Sequence, residues 1–128
     1  MGDQEVIELA NRAFVAARSG DAEALEKLVA EGVPVDLCNE AGDTLTMLAA
    51  YHGQAAAVSA LVKLGADVNK ANDHGQTPIA GAVFKGADEV VQALLEGGAD
   101  PFAGSPSAVD TARMFGRVEL LALFERKG

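Results

Sequence analysis

Two series of glycines recur along this chain with the same spacing of 33 residues, and several apolar positions keep that step. The two glycine series and one leucine series are Gly20, Gly53 and Gly86; Gly32, Gly65 and Gly98; and Leu28, Leu61 and Leu94. A unit of this length is too small to bury its own apolar face, so stacked neighbours must complete the core. The chain is therefore predicted to fold as a short array of repeats, an architecture that commonly serves binding.

The unit at residues 72–104 shows the pattern of each repeat most clearly. A run of turn-forming residues, NDHGQ, precedes Thr77–Pro78. This pair favours the start of a helix, because threonine caps the first turn and proline fits the first helical position. We expect this first helix to end near Lys85 and a second helix to span residues 88–96, where apolar side chains recur at helical spacing. Each unit is thus a predicted helix-turn-helix preceded by a short protruding turn, which we call a finger.

The whole chain is predicted to form a single all-α domain of about four such units. The approximate bounds of these units are 1–38, 39–71, 72–104 and 105–128. The first unit has no preceding finger, and its first helix is predicted to begin near Asp3. The last unit is shorter by three residues, because Gly116 follows Gly86 at a step of 30, so its finger is predicted to be short or absent. We expect the end units to act as N-terminal and C-terminal caps.

Charge and cysteine content restrict the classes of partner and the compartment. The formal net charge is −9. Binding to nucleic acid or to an anionic membrane rests on lysine and arginine, so neither partner is expected. The single cysteine, Cys38, allows no internal disulfide and fits a reducing compartment. With no secretory signal or long apolar run in the sequence, we expect a cytoplasmic protein.

The repeated units resemble those of the ankyrin repeat family. The closest matches to the family pattern are GQTPIAGAVFKG at 75–86, GADVN at 65–69 and GDTLTMLAAYHG at 42–53. The amino-acid sequence of the last segment is similar to segments of small, free-standing bacterial ankyrin repeat proteins. The resemblance implies an all-α ankyrin repeat solenoid with short β-turn fingers and capping repeats at both ends.

The chain departs from the family pattern where a histidine normally follows the threonine and proline. Met47 and Ala80 occupy that column in the inner units, and Phe14 and Asp110 occupy it in the end units. The threonine–histidine hydrogen-bond network of the family is therefore expected to be missing. Thr46 replaces a leucine of the pattern, and we expect its hydroxyl to donate to a carbonyl of the preceding turn.

The residues with chemical reactivity are scattered, and no catalytic or metal-binding motif is recognisable. Cys38, His52 and His74 are the candidates for a nucleophile, a base or a metal ligand, but they have neither catalytic nor metal-ligand spacing. The favoured interpretation is a plain small residue at Cys38 and solvent-exposed histidines. We expect no enzymatic activity, no cofactor and no metal.

The resemblance places two sequence columns, at the exposed end of each first helix, on a concave face together with the fingers. The residues in these columns are Arg18, Tyr51, Phe84 and Met114, and Ser19, His52, Lys85 and Phe115. The finger residues on the same face are Glu40, Ala41, Asp43, Asp73, His74 and Gln76. Aromatic, methionine and arginine side chains of this kind are typical of interface hot spots. The alternative for Tyr51 and Phe84 is that they pack over the adjacent helix.

These observations predict a non-catalytic, monomeric protein–protein interaction module that binds a protein partner through the concave face. The acidic fingers favour a partner with a basic rim, although a solvated charged face is the simpler interpretation. A structural or self-association role is the first alternative. An inhibitor or auxiliary subunit of an enzyme is the second.

Overall fold

A computed structural model describes residues 2–127 of the chain, with side chains through Arg126, and within this range the chain forms eight helices and no extended strand. The helices are α1 (Asp3–Ser19), α2 (Ala22–Ala30), α3 (Leu45–Tyr51), α4 (Ala55–Lys63), α5 (Pro78–Lys85), α6 (Asp88–Glu96), α7 (Ala108–Met114) and α8 (Val118–Lys127). They follow one another as four helix pairs. This arrangement confirms the predicted all-α repeat solenoid, including the second helix expected at 88–96.

The helix pairs stack in two layers. The first helices α1, α3, α5 and α7 pack side by side in one layer, and α2, α4 and α6 pack side by side in the other. Leu61 and Leu94 are fully buried, and the evenly spaced Ala49 and Ala82 are fully buried as well. Small residues at these repeated positions let neighbouring first helices approach closely. The 33-residue spacing of the alanines therefore reflects the packing of one unit on the next.

Side-chain caps start three of the first helices. The hydroxyl of Thr44 accepts a hydrogen bond from Met47 N at 3.0 Å, and that of Thr77 accepts one from Ala80 N at 3.3 Å. Pro78 occupies the first turn of α5, as predicted. Ser107 forms a reciprocal capping box with Asp110 at the start of α7. Helix α5 therefore begins at the proline that the sequence pattern indicated.

Glycines with left-handed backbone angles follow several helices. Gly86 follows α5 directly and has a φ of +71°. At the end of α4 the cap residue is Leu64, and Gly65 comes next, with a φ of +94°. The last turn of α4 uses a right-handed residue before the left-handed glycine, so the glycine occupies the position just beyond the cap.

The two fingers, residues 39–44 and 72–77, are joined to each other by hydrogen bonds. In each finger one asparagine fixes the turn, because the Asn39 side chain accepts from two backbone N–H groups and that of Asn72 does the same. Between the fingers, Asn72 Nδ2 donates to Asp43 Oδ1 at 2.8 Å, and Asp73 N donates to Ala41 O at 3.0 Å. The fingers thus form one continuous, hydrogen-bonded edge beside the first helices.

The turn before α7 is shorter than the two fingers, as the three missing residues predicted. It is closed by an isolated antiparallel bridge between Gly104 and Ser107. Ser105 N donates to Gly75 O of the second finger at 3.1 Å. This turn therefore continues the hydrogen-bonded edge formed by the fingers, although it contains fewer residues than either finger.

The prediction for Thr46 is wrong. Its side chain is fully buried, and its hydroxyl has no hydrogen-bond partner. Thr46 is the second residue of α3, so the residue four positions earlier, Gly42, belongs to the finger and not to a preceding helical turn. Thr111 shows the expected bond instead, because it lies one turn inside α7 and donates to Ser107 O at 2.8 Å.

The end pairs differ from the inner ones. Helix α1 begins at Asp3 as predicted and is the longest first helix, and Val6 near its start is 51% exposed. At the other end, Arg117 pairs with Asp88 of α6 at 2.8 Å and with Glu119 at 2.9 Å, which ties the last pair to the one before it. Across residues 2–127, the length and apolarity needed to cross a membrane do not occur together in any helix.

Candidate partner-binding face

The residues predicted at the ends of the first helices are all exposed. Each is one of the last residues of a first helix or the residue that caps it. Together with the fingers they border one side of the first-helix layer, which we call the finger face. The exposed helix-end residues are Arg18, Ser19, Tyr51, His52, Phe84, Lys85, Met114 and Phe115.

Tyr51 is the centre of a small cluster on the finger face. Its side chain is 39% exposed. The Lys85 ammonium lies 4.9 Å from the centre of the Tyr51 ring, and the His52 ring meets the same ring edge-on at 6.0 Å. A cation over an aromatic face is a favourable arrangement, so Lys85 helps to hold the ring in place. Tyr51 is therefore both partly packed and accessible.

Phe84 is more exposed than Tyr51 and pairs with a phenylalanine from the next unit. It is 58% exposed, and its ring meets that of Phe115 edge-on with 5.8 Å between the ring centres. Such a pair is favourable, but it leaves most of the Phe84 surface in contact with solvent. Two aromatic side chains from different units are thus presented on the same face.

Two adjacent recesses lie between the first helices and the fingers. The first holds about 170 Å³ and is lined by Met47, Tyr51, Gln76, Ala80, Gly81, Phe84, Pro106 and Thr111. The second holds about 190 Å³ and is lined by Ala41, Asp43, Met47, Leu48, Tyr51, Asn72, His74 and Gln76. Because the recesses share Met47, Tyr51 and Gln76, they form one groove, which we call the finger groove. The first recess has no charged residue in its lining, whereas the second contains a carboxylate and an imidazole.

A glycine inside helix α5 forms part of the wall of the first recess. Glycine in a helix interior costs about 1 kcal/mol relative to alanine, so a local reason for Gly81 is expected. A Cβ at this position would lie 3.2 Å from the Met47 methyl carbon and 3.7 Å from a Tyr51 ring carbon. The missing side chain therefore gives Met47 and Tyr51 room against α5 and keeps the recess open.

The finger residues of the predicted site divide into two groups. Asp43 and Gln76 line the groove, and each accepts a hydrogen bond from Asn72 Nδ2, at 2.8 and 2.9 Å, so both also hold the fingers in place. Ala41 and His74 also line the second recess, whereas Glu40 and Asp73 line neither recess and are exposed. The Asp73 carboxylate lies against Gly42 of the first finger.

The structure gathers much of the predicted site at the groove, but not all of it. Tyr51, Phe84, Asp43, His74 and Gln76 line the recesses. His52, Lys85 and Phe115 contact the two aromatic rings. The predicted residues that neither line a recess nor contact these rings are Arg18, Ser19, Met114, Glu40 and Asp73, and all five are exposed.

Sequence reasoning missed five residues that line the first recess. They are Met47, Ala80, Gly81, Pro106 and Thr111. Met47 and Ala80 occupy the column where the family pattern has histidine. This departure indicates a different surface at the recess as well as the missing hydrogen-bond network. Gly81 carried its own signal, since a glycine in the middle of a predicted helix needs a packing or functional reason.

The residues considered for chemistry are not brought together. Cys38 is exposed and takes part in an isolated bridge with Thr44 at the base of the first finger. His52 and His74 are both exposed, one at a helix end and one in a finger. Over the described part of the chain, no three histidine, cysteine or acidic side chains are grouped closely enough to hold a metal ion.

Comparison with known proteins identifies the repeat. A family model described as ankyrin repeats (3 copies) matches residues 13–104, which span the first three helix pairs apart from the beginning of α1. A search of curated proteins returned no match to the chain.

Proposed function

Because the chain belongs to the ankyrin repeat family, whose members are generally protein–protein interaction modules, we propose that it binds a protein partner through its finger face. The binding is non-catalytic and uses no cofactor or metal. The helix-end and finger residues named above form the contact surface, with Tyr51 and Phe84 as its anchors. The four helix pairs act together as one domain in a monomeric, cytoplasmic protein.

The observation that carries this proposal is the pair of exposed aromatic side chains beside a largely apolar groove. Phe84 is 58% exposed, whereas Val83 and Ile79 of the same helix are buried. Removing apolar surface from water gains roughly 25 cal/mol per Å², so a partner that covers both rings has a substantial driving force. Aromatic anchors in a central, partly enclosed position are also the usual hot spots of protein interfaces.

The hydrogen-bonded fingers support the same proposal. Their backbones are linked to each other and to the turn before α7, and the asparagine side chains fix each turn internally. A groove held in this way has little conformational freedom to lose when a partner binds. Specificity then comes from side chains that vary between repeats.

A capture experiment with paired variants tests the proposal. We expect the wild-type chain to retain a protein from lysate that the Tyr51→Ala/Phe84→Ala double variant does not retain. The double variant should weaken binding by at least ~2 kcal/mol, measured by titration of the captured protein. Its melting temperature should change little because both side chains are exposed.

Val118→Ala provides the matched control, because Val118 is a 71% exposed apolar residue on α8, away from the finger groove. It should bind like the wild type. Equal capture by all three proteins would contradict the proposal, and a large loss of stability in the double variant would assign Tyr51 and Phe84 to packing.

Self-association is the second candidate, and exposed apolar residues on α1 favour it. Val6, Ile7 and Val15 are each more than half exposed. Copies joined through this helix would form a dimer or a longer assembly, and light scattering would report a mass that rises with concentration. A constant monomer mass would leave partner binding, including binding as an inhibitor or auxiliary subunit of an enzyme, as the function.

A further inference from the structure

The finger groove has a distinct chemistry in each of its two recesses. We propose that its occupant is an extended segment of the partner protein in which an aliphatic or aromatic side chain stands near a lysine or arginine. The apolar side chain occupies the first recess, and the basic side chain lies over the acidic fingers. This inference rests on the proposed function and specifies the partner's chemistry.

The first recess is suited to an uncharged side chain. Its wall combines Met47, Ala80, Gly81 and Pro106 with the two aromatic rings, and no ionisable acid or base is among its lining residues apart from the tyrosine hydroxyl. A volume of about 170 Å³ accommodates one aliphatic or aromatic side chain. Methionine adapts its shape to different apolar groups, so this recess selects for apolar character more than for one residue type.

The finger side of the groove is suited to a cation. Asp43 and Asp73 lie where the two fingers join, Glu40 is exposed on the first finger, and none of the ion pairs within residues 2–127 involves these three carboxylates. No described lysine or arginine forms an ion pair with them. A basic side chain of the partner would therefore find carboxylates that are not already paired with a cation, and the attraction would fix the orientation of the segment.

Charge also argues for a foreign segment and against a second copy of the chain. Each copy carries a formal net charge of −9. Two copies repel each other, whereas a basic segment is attracted to the whole molecule as well as to the fingers. Each recess holds a single side chain, and an extended backbone places alternate side chains on the same side, so neighbouring side chains of one segment can reach both recesses.

Selection from a library of random dodecapeptides displayed on phage tests this inference without knowledge of the natural partner. We expect the peptides enriched on the wild-type chain to carry a lysine or arginine within a few residues of an aliphatic or aromatic residue. A fluorescein-labelled copy of the most enriched peptide then serves as the probe in fluorescence anisotropy titrations. Its affinity should fall as NaCl is raised.

Two sets of variants separate the apolar and the acidic contributions. Gly81→Leu fills the first recess from its wall and should weaken binding by about 10-fold or more, with Gly81→Ala intermediate. Removing two finger carboxylates with the Glu40→Gln/Asp73→Asn variant should weaken binding by about 5-fold. The matched control for charge is Glu23→Gln/Glu89→Gln, which removes the same number of carboxylates from exposed positions on α2 and α6 and should have little effect.

The outcomes distinguish this inference from the proposed function. Two outcomes overturn the inference and leave the proposed function standing. In the first, the selected peptides depend on Tyr51 and Phe84 but lack basic residues. In the second, they bind the Glu40→Gln/Asp73→Asn variant and its charge control equally. A selection that enriches no peptide also overturns the inference, while the lysate capture still tests the function. Peptides whose binding is unchanged in the Tyr51→Ala/Phe84→Ala variant count against both.

Discussion

At the scale of single residues, position within a helix decides whether a buried hydroxyl can be satisfied. Thr46 and Thr111 are the same residue type on first helices, and both are buried. Thr111 lies one turn inside α7 and reaches the carbonyl of Ser107, whereas Thr46 lies in the first turn of α3 and reaches no acceptor. The sequence alone predicted the bond at Thr46 incorrectly, because a threonine finds a helical carbonyl only if the helix begins far enough before it. Thr46 is the second residue of its helix and Thr111 is the fourth.

Replacing Thr46 by valine should stabilise the protein. The substitution keeps the shape of the side chain and removes a buried hydroxyl that has no partner, so we expect the free energy of unfolding to rise by about 1 kcal/mol. Urea unfolding followed by circular dichroism measures the change. Thr111→Val is the matched comparison, because it removes a hydroxyl that does form a hydrogen bond and should be destabilising. A loss of stability on Thr46→Val would show that the hydroxyl finds an acceptor.

At the scale of elements, the helices followed from local sequence signals, whereas the links between the fingers form only when the repeats stack. Thr77 and Pro78 marked the start of α5, and the pattern at 88–96 gave the limits of α6. These signals are local and act through caps and helical spacing. The links between the fingers, such as Asn72 to Asp43, join residues 29 positions apart, so no local pattern could predict them.

Replacing Asn72 by alanine should loosen the second finger. The substitution removes two acceptor bonds inside the turn and two donor bonds, one of which joins the fingers, so we expect a loss of about 1–2 kcal/mol in unfolding free energy. Faster amide exchange of His74 and Gln76, measured by NMR, should accompany it. Asn11→Ala, on the exposed surface of α1, is the control. Unchanged exchange in the finger would contradict the role assigned to Asn72.

At the scale of the whole molecule, the repeat period determined the fold, but the binding groove arises only when repeats are stacked. The spacing of Leu28, Leu61 and Leu94 predicted a continuous core, and all three are buried. The exposure of Tyr51 and Phe84 could not be read from the same spacing, because it depends on Gly81 and on Phe115 in neighbouring units. The family resemblance therefore predicted the location of the groove and its aromatic residues. It did not predict the apolar residues that form the wall of the first recess.

Removing one repeated leucine should weaken the array as a whole. Leu61 is fully buried in α4, which packs between α2 and α6, so Leu61→Ala leaves a cavity at the centre of the second layer. We expect a loss of ~2 to 5 kcal/mol, measured by urea unfolding. Ser59→Ala on the exposed side of the same helix should change stability little. A small effect of Leu61→Ala would mean that the core is not shared between neighbouring repeats as described.

The most direct measurement for the account is amide hydrogen exchange of the chain with and without its captured partner, read by mass spectrometry. Binding through the finger face predicts slower exchange in residues 39–44 and 72–77 and at the ends of α3 and α5, with α4 and α6 unchanged. Slower exchange confined to α2, α4 and α6, with the fingers unaffected, would place the partner on the opposite layer and contradict the proposed function.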